Sequence, residues 1–441
     1  MTFNSFTYVV FLAAVTLLAW ASNCWHNLRW RNLLLLAASY LFYGLFHLWF
    51  VGLLLYVSLI AYLGGRWITI AQRRGDSGKK ELTLTIALSL LCLLFFKYGH
   101  FVSKSIVLPV GLSFFTFQAL TYSIDIYRKK TEPEDLLSVL LFVAFFPTLL
   151  SGPIERSRNI IPQLKSNLDI RYENVTEGVE LYIWGLFKKA VIADRLGLFV
   201  DEIYFNPTSH SGSTLGLAAV FYSFQIYADF SGYADMAIGS ARILGIKLMD
   251  NFNFPYFAKS IKDFWRRWHI SLTSWFTEYV YISLGGNRVG KARWVMNISL
   301  VFLLSGIWHG ATFSFIVWGA MHAILYLTEH FLYRERIPNA LYRLFVFATV
   351  TSAWVFFRVT DIGQAWSVVA GIFTNFFSPV YLGMSSFSTL LTMMLLLLFV
   401  LREWLLFKPN PLKRTSWECV FLLLATFLFG LEAHPFVYFQ F

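Results

Sequence analysis

Charge is scarce in this chain, and the scarcity is uneven. Of its 441 residues, 14% are Asp, Glu, Lys or Arg, while 57% are hydrophobic. From Trp294 to Thr328 there is no Asp, Glu, Lys or Arg at all. Apolar runs of about 20 residues, the length that spans a bilayer, recur from end to end, which excludes an ordinary soluble domain. Cysteine is nearly missing too. Cys24, Cys92 and Cys419 are the three present and lie far apart, so neither a disulfide framework nor a paired-cysteine metal or redox site is expected. There is no His-Glu-x-x-His motif, and no metal site is expected. Residues 1–28 lack Lys and Arg. The basic start of a cleavable signal is therefore absent, and the first segment is expected to remain as an anchor. No internal repeat, low-complexity tract or inverted pair of broken helices of the transporter kind is found.

What is present predicts an all-α, polytopic integral membrane protein. About ten to twelve transmembrane or re-entrant helices are expected, in one integral domain over residues 1–441. The net charge of +11 reads as the cytoplasmic bias of basic residues in membrane loops, and no nucleic acid is implied. Arg29 and Arg31, then Arg66 to Lys80, then Arg128 to Lys130, alternate with apolar runs in a way that puts the N-terminus outside. Arg334 to Arg343 and Arg402 to Arg414 flank crossings near 344–357 and 386–401, and put the C-terminus outside as well. Residues 151–177 and 256–281 mix prolines or aromatics with charges and read as re-entrant or surface-lying.

His309 stands in the charge-free stretch, within Ser305-Gly306-Ile307-Trp308-His309-Gly310. The apolar run before the glycines, Trp294 to Ser305, is 12 residues, about 18 Å as a helix and too short for a hydrocarbon core of about 30 Å. The spacing predicts a helix break there, with His309 at intermediate depth inside protein. An ionisable group so placed is costly and points to function; a buried histidine bonded to an opened backbone carbonyl is the alternative. His322, thirteen residues on, turns away from His309 and is expected to pack.

A second polar stretch runs from Lys262 through Asp263-Phe264-Trp265-Arg266-Arg267-Trp268-His269 to Leu272. On one helix, Trp265, Trp268 and Leu272 would share a face, and Lys262, Arg266 and His269 a neighbouring one. Two readings stand: an interfacial helix whose arginines meet lipid headgroups, or a cationic lip for the phosphates of a thioester donor, since guanidinium forks suit phosphate oxygens. Asp229 and Asp235, six apart, do not share a helix face. They read as partners of a buried cation such as Arg242.

Phe264-Trp265-Arg266-Arg267-Trp268-His269-Ile270-Ser271-Leu272, Tyr281-Ile282-Ser283-Leu284-Gly285-Gly286-Asn287-Arg288 and Gly306-Ile307-Trp308-His309-Gly310 resemble the membrane-bound O-acyltransferase (MBOAT) family. So do Asp229-Phe230-Ser231-Gly232-Tyr233-Ala234-Asp235-Met236 and Pro109-Val110-Gly111-Leu112-Ser113-Phe114. The nearest branch is the membrane component of bacterial alginate O-acetylation. The tail Pro435 to Phe441 is similar to the aromatic C-terminal tails of cell-envelope acylation systems.

The resemblance implies helices around a central tunnel in the bacterial inner membrane. It implies an acyltransferase with no permanently bound cofactor, taking acetyl groups from acetyl coenzyme A or an acyl carrier protein. His309 would be the base and His269 its partner. Arg266, Arg267, Trp265 and Trp268 would hold the donor. Tyr438 would relay the acyl group outward; an aromatic belt anchor is the other reading of that residue. An SGNH-type extracytoplasmic transferase would finish the transfer to a polysaccharide such as alginate or peptidoglycan. A non-enzymatic transporter or scaffold is the rival class, and acylation of a lipid the rival activity.

Overall fold

A computed structural model describes residues 1–24, 27–104, 106–332, 339–374, 376–383, 385–408 and 415–430. The described residues are helical and contain no strand. Six helices are long and apolar enough to cross a membrane: Phe6–Asn23, Leu48–Arg73, Lys79–Tyr98, Phe313–Leu332, Ala340–Arg358 and Ser386–Phe407. Two apolar helices, Ile362–Thr374 and Trp417–Phe429, are shorter. The expected crossings near 344–357 and 386–401 fall on long helices. Hydroxyl groups inside these helices are satisfied locally: Ser58 donates to the Leu54 carbonyl at 2.7 Å and Thr392 to that of Ser388 at 2.8 Å, so polar atoms cost little in hydrocarbon. Side-chain caps set the starts. Asn27 accepts from the Trp30 amide, Asp135 from that of Ser138, and Thr415 from that of Glu418.

The chain forms two compact units. The first comprises Met1–Tyr182 and Tyr233–Asp250. Its aromatic core stacks Phe3, Tyr8, Phe42, Phe146 and Tyr182, and the Tyr8 hydroxyl reaches Ser240 at 2.9 Å. Residues 151–177 hold a short helix, Ser157–Leu164, a connecting loop and the start of the helix Tyr172–Phe187. Arg31, assigned by sequence to a basic loop cluster, is fully buried. It donates to the carbonyls of Leu164 and Ser166 and to Asn32, and so holds down the loop that follows this short helix.

The second unit comprises Ile183–Gly232 and Asn251–Phe441. It packs the helix Lys291–His309 tightly against Phe313–Leu332. Here the structure corrects the expected break. The helix continues through Gly306 for 19 residues and ends at His309, about 28 Å long. Gly306 is not a breaker but a contact: a Cβ on it would meet the Phe315 carbonyl oxygen, and one on Gly319 would lie 2.5 Å from the Phe302 oxygen. Reciprocal glycines let the two backbones touch, as small residues do where membrane helices meet. The chain turns only at residues 310–312.

Candidate active site

A cavity of about 460 Å³ lies within the second unit, lined among others by Lys262, Trp265, Arg266, Trp268, His269 and His309. Of the six described residues singled out from sequence as site residues, the structure thus brings together five, all but Arg267. A space of this size is ordinary for a small-molecule site.

The Lys262–Leu272 stretch is not one helix. Ile261–Arg267 ends at Trp268, and a second short helix, Ile270–Trp275, follows. Between them His269 adopts a left-handed backbone, with φ 44°, which is uncommon for any side-chain-bearing residue. His269 therefore does not share a helix face with Lys262 and Arg266: it sits at a bend between two helices. The bend is clamped. Asn253 donates to the Arg267 carbonyl at 3.0 Å and Ile270 to that of Asn251 at 2.9 Å. The Asn251 Oδ1 accepts from the Ser271 amide at 3.2 Å and from its hydroxyl at 2.9 Å. The start of Ile261–Arg267 is held twice over, by the Ser260 side chain and by the Glu329 carboxylate, which accepts from the Ile261 and Lys262 amides.

His269 is 1% exposed. Burial pushes its pKa well below the usual histidine range, so the ring is neutral at physiological pH. Its ring lies edge-on to Phe230 at 4.6 Å. His309 is 6% exposed at the end of its helix, with its ring against Trp308, Trp318 and Phe357 at 4.8–5.2 Å. The two imidazole centres are 6.4 Å apart. A ring nitrogen sits about 1.2 Å from its centre, so the two nitrogens stay at least about 4 Å apart, beyond hydrogen-bond range.

Arg266 and Lys262 bring positive charge to the cavity. Arg267 faces elsewhere. It pairs with Asp263 at 2.9 Å, donates to the Asn253 carbonyl at 3.2 Å and lies over the Phe407 ring. His322 packs as expected, fully buried against Trp265 and Trp318. Tyr438 lies outside the described residues.

Asp229 is a structural counter-ion, as expected, but its partner is Lys189 rather than Arg242. Lys189 lies 2.7 Å from both Asp229 and Asp194, all within 2% of full burial. Arg242 pairs instead with Glu177. Sequence reasoning missed Lys189 and Asn251. Neither carries a motif, and only the unusual Lys188-Lys189 pair inside an apolar run signals the first.

The model of the MBOAT, membrane-bound O-acyltransferase family, matches residues 33–360. The chain is a membrane-bound O-acyltransferase. Among curated proteins, the acyltransferase is similar to the probable alginate O-acetylase of Azotobacter vinelandii, at 38% identity over 78% of this chain and 73% of the relative. It is also similar to the peptidoglycan O-acetyltransferase of Helicobacter pylori, at 36% identity over 83% and 78%. A more distant likeness is to the teichoic acid D-alanyltransferase of Bacillus subtilis, at 32% identity over 53% and 61%. The expected family and enzyme class are borne out, and the chain is a multi-pass membrane acyltransferase.

Proposed function

We propose that the enzyme moves acetyl groups from a cytoplasmic thioester to an exported cell-envelope polysaccharide in the bacterial inner membrane, with both termini outside. The observation that carries this reading is the juxtaposition of His269 and His309 in one cavity with Arg266 and Lys262. A hydroxyl is a weak nucleophile at neutral pH and needs a base as it attacks. His309 takes the hydroxyl proton while the oxygen bonds to the thioester carbonyl carbon. The tetrahedral carbon then expels sulfur, and the proton passes from His309 to the leaving thiolate. His269 holds the reacting oxygen or the donor beside it. Arg266 and Lys262 meet a donor phosphate, whether on coenzyme A or on a carrier-protein arm. Tyr281 also lines the cavity; its hydroxyl oxygen accepts from Trp294 at 2.9 Å, which leaves its own proton to donate to a carbonyl.

One acyltransferase domain over residues 1–441 belongs to the same proposal, supported by a family match that runs through both compact units. So does an outward relay through Tyr438 to an SGNH-type partner. The polysaccharide reading is supported by the two O-acetylating relatives above. The test is polymer O-acetylation in cells. His309→Ala is expected to abolish it while the protein stays in the membrane, and Tyr438→Phe is expected to abolish it with His309 intact. Retained acetylation in the first variant refutes the base, and in the second refutes the relay while leaving an anchor.

A further inference from the structure

We infer that Asn251 is a positioning residue that fixes the tautomer of His269 with its proton on Nδ1. The inference rests on the reading of His269 as part of the acyl-transfer site. The Asn251 Oδ1 lies 3.1 Å from His269 Nδ1. That atom is an oxygen and not the amide nitrogen, because it also accepts from the Ser271 backbone N–H, which can only donate. Facing an acceptor, Nδ1 must carry the proton, and Nε2 keeps the lone pair. On the ring that lines the cavity, the nitrogen able to accept a hydrogen bond is therefore Nε2. This is the division of labour by which an orienting group sets which ring nitrogen does the work.

The same asparagine uses its backbone carbonyl to hold Ile270 at 2.9 Å, so one residue fixes both the left-handed turn and the ring inside it. The other titratable or charged groups around the cavity are His309, Lys262, Arg266, Tyr281 and Tyr326; none is an anion. Among the described residues lining the cavity there is thus no carboxylate, and an anion at position 251, beside the His269 ring, would favour the imidazolium.

The experiment is thiol release from acetyl coenzyme A by the purified full-length protein, followed across pH. It is joined by nitrogen NMR of the histidine-labelled protein, with His269→Gln used to assign the resonance. Asn251→Ala is expected to lower turnover on the order of 100-fold and to lose the Nδ1–H signature. Asn251→Asp keeps the acceptor. It is expected to retain that signature and recover turnover, with the acidic limb of the pH profile moved to higher pH. A purely structural asparagine predicts recovery with the limb unmoved, which overturns the proposal. Wild-type turnover in Asn251→Ala, or an Nε2–H tautomer in the native protein, overturns it too. The underlying reading fails separately: His269→Gln with wild-type turnover removes His269 from the chemistry, while the NMR measurement still decides the tautomer.

Discussion

Gly319→Ala adds a single methyl group at the contact between the helices Lys291–His309 and Phe313–Leu332. Built on the backbone, that carbon lies 2.5 Å from the Phe302 carbonyl oxygen and 3.2 Å from its carbonyl carbon. Carbon and oxygen settle at about 3.3 Å or more, so the helices must part by roughly 0.8 Å. Both partners are backbone, and no side chain can rotate away. Overpacking of this kind typically costs about 1–3 kcal/mol. The functional cost is expected to exceed the structural one. His309 ends one of these helices and packs edge-on against Trp318, the residue before Gly319, and for the proposed base a shift near 1 Å can cost on the order of 100-fold in rate. The assay is thiol release from acetyl coenzyme A by purified protein beside its thermal unfolding in detergent. Gly52→Ala is the control. It makes the same chemical change within Leu48–Arg73, where an added Cβ meets nothing within 4 Å, and it is expected to be neutral or slightly stabilising. Wild-type turnover and melting temperature in Gly319→Ala would refute the close-contact reasoning.

Two further outcomes follow from the same geometry. Lys189→Met removes the cation shared by two buried carboxylates, Asp194 and Asp229, and is expected to cost about 3–5 kcal/mol; replacing all three with apolar residues is expected to recover most of that in thermal unfolding. Arg266→Ala, at the cavity, is expected to raise KM for the thioester donor severalfold in steady-state kinetics, whereas Arg267→Ala, committed to Asp263, is expected to leave KM unchanged and to lower stability by about 1 kcal/mol or less.

The membrane class and five of the residues that line the cavity were legible in the chain because both depend on local composition. Apolar runs declare helices by length alone, His309 stands out in a charge-free stretch, and His269 in one where arginines and aromatics interleave. Three things were not legible. Gly306 reads as a breaker in sequence, but its role is set by Phe315 on the next helix, which no local rule reports. The Lys262–Leu272 stretch has helical periodicity, yet tertiary hydrogen bonds from Asn251 and Asn253 outweigh it and turn the chain at His269. Asp229 was recognised as a counter-ion, but its cation came from a lysine forty residues upstream rather than from the nearer arginine. In each case the decisive partner is distant in sequence, where periodicity carries no signal.

In the proposed mechanism His309 takes the proton of the attacking hydroxyl. Its most direct test is acetyl transfer from acetyl coenzyme A to a hydroxyl acceptor by purified protein, comparing wild type with His309→Gln at matched folded fraction. Transfer is expected to fall by at least about 100-fold with the donor still bound. Transfer by His309→Gln at the wild-type rate would contradict it.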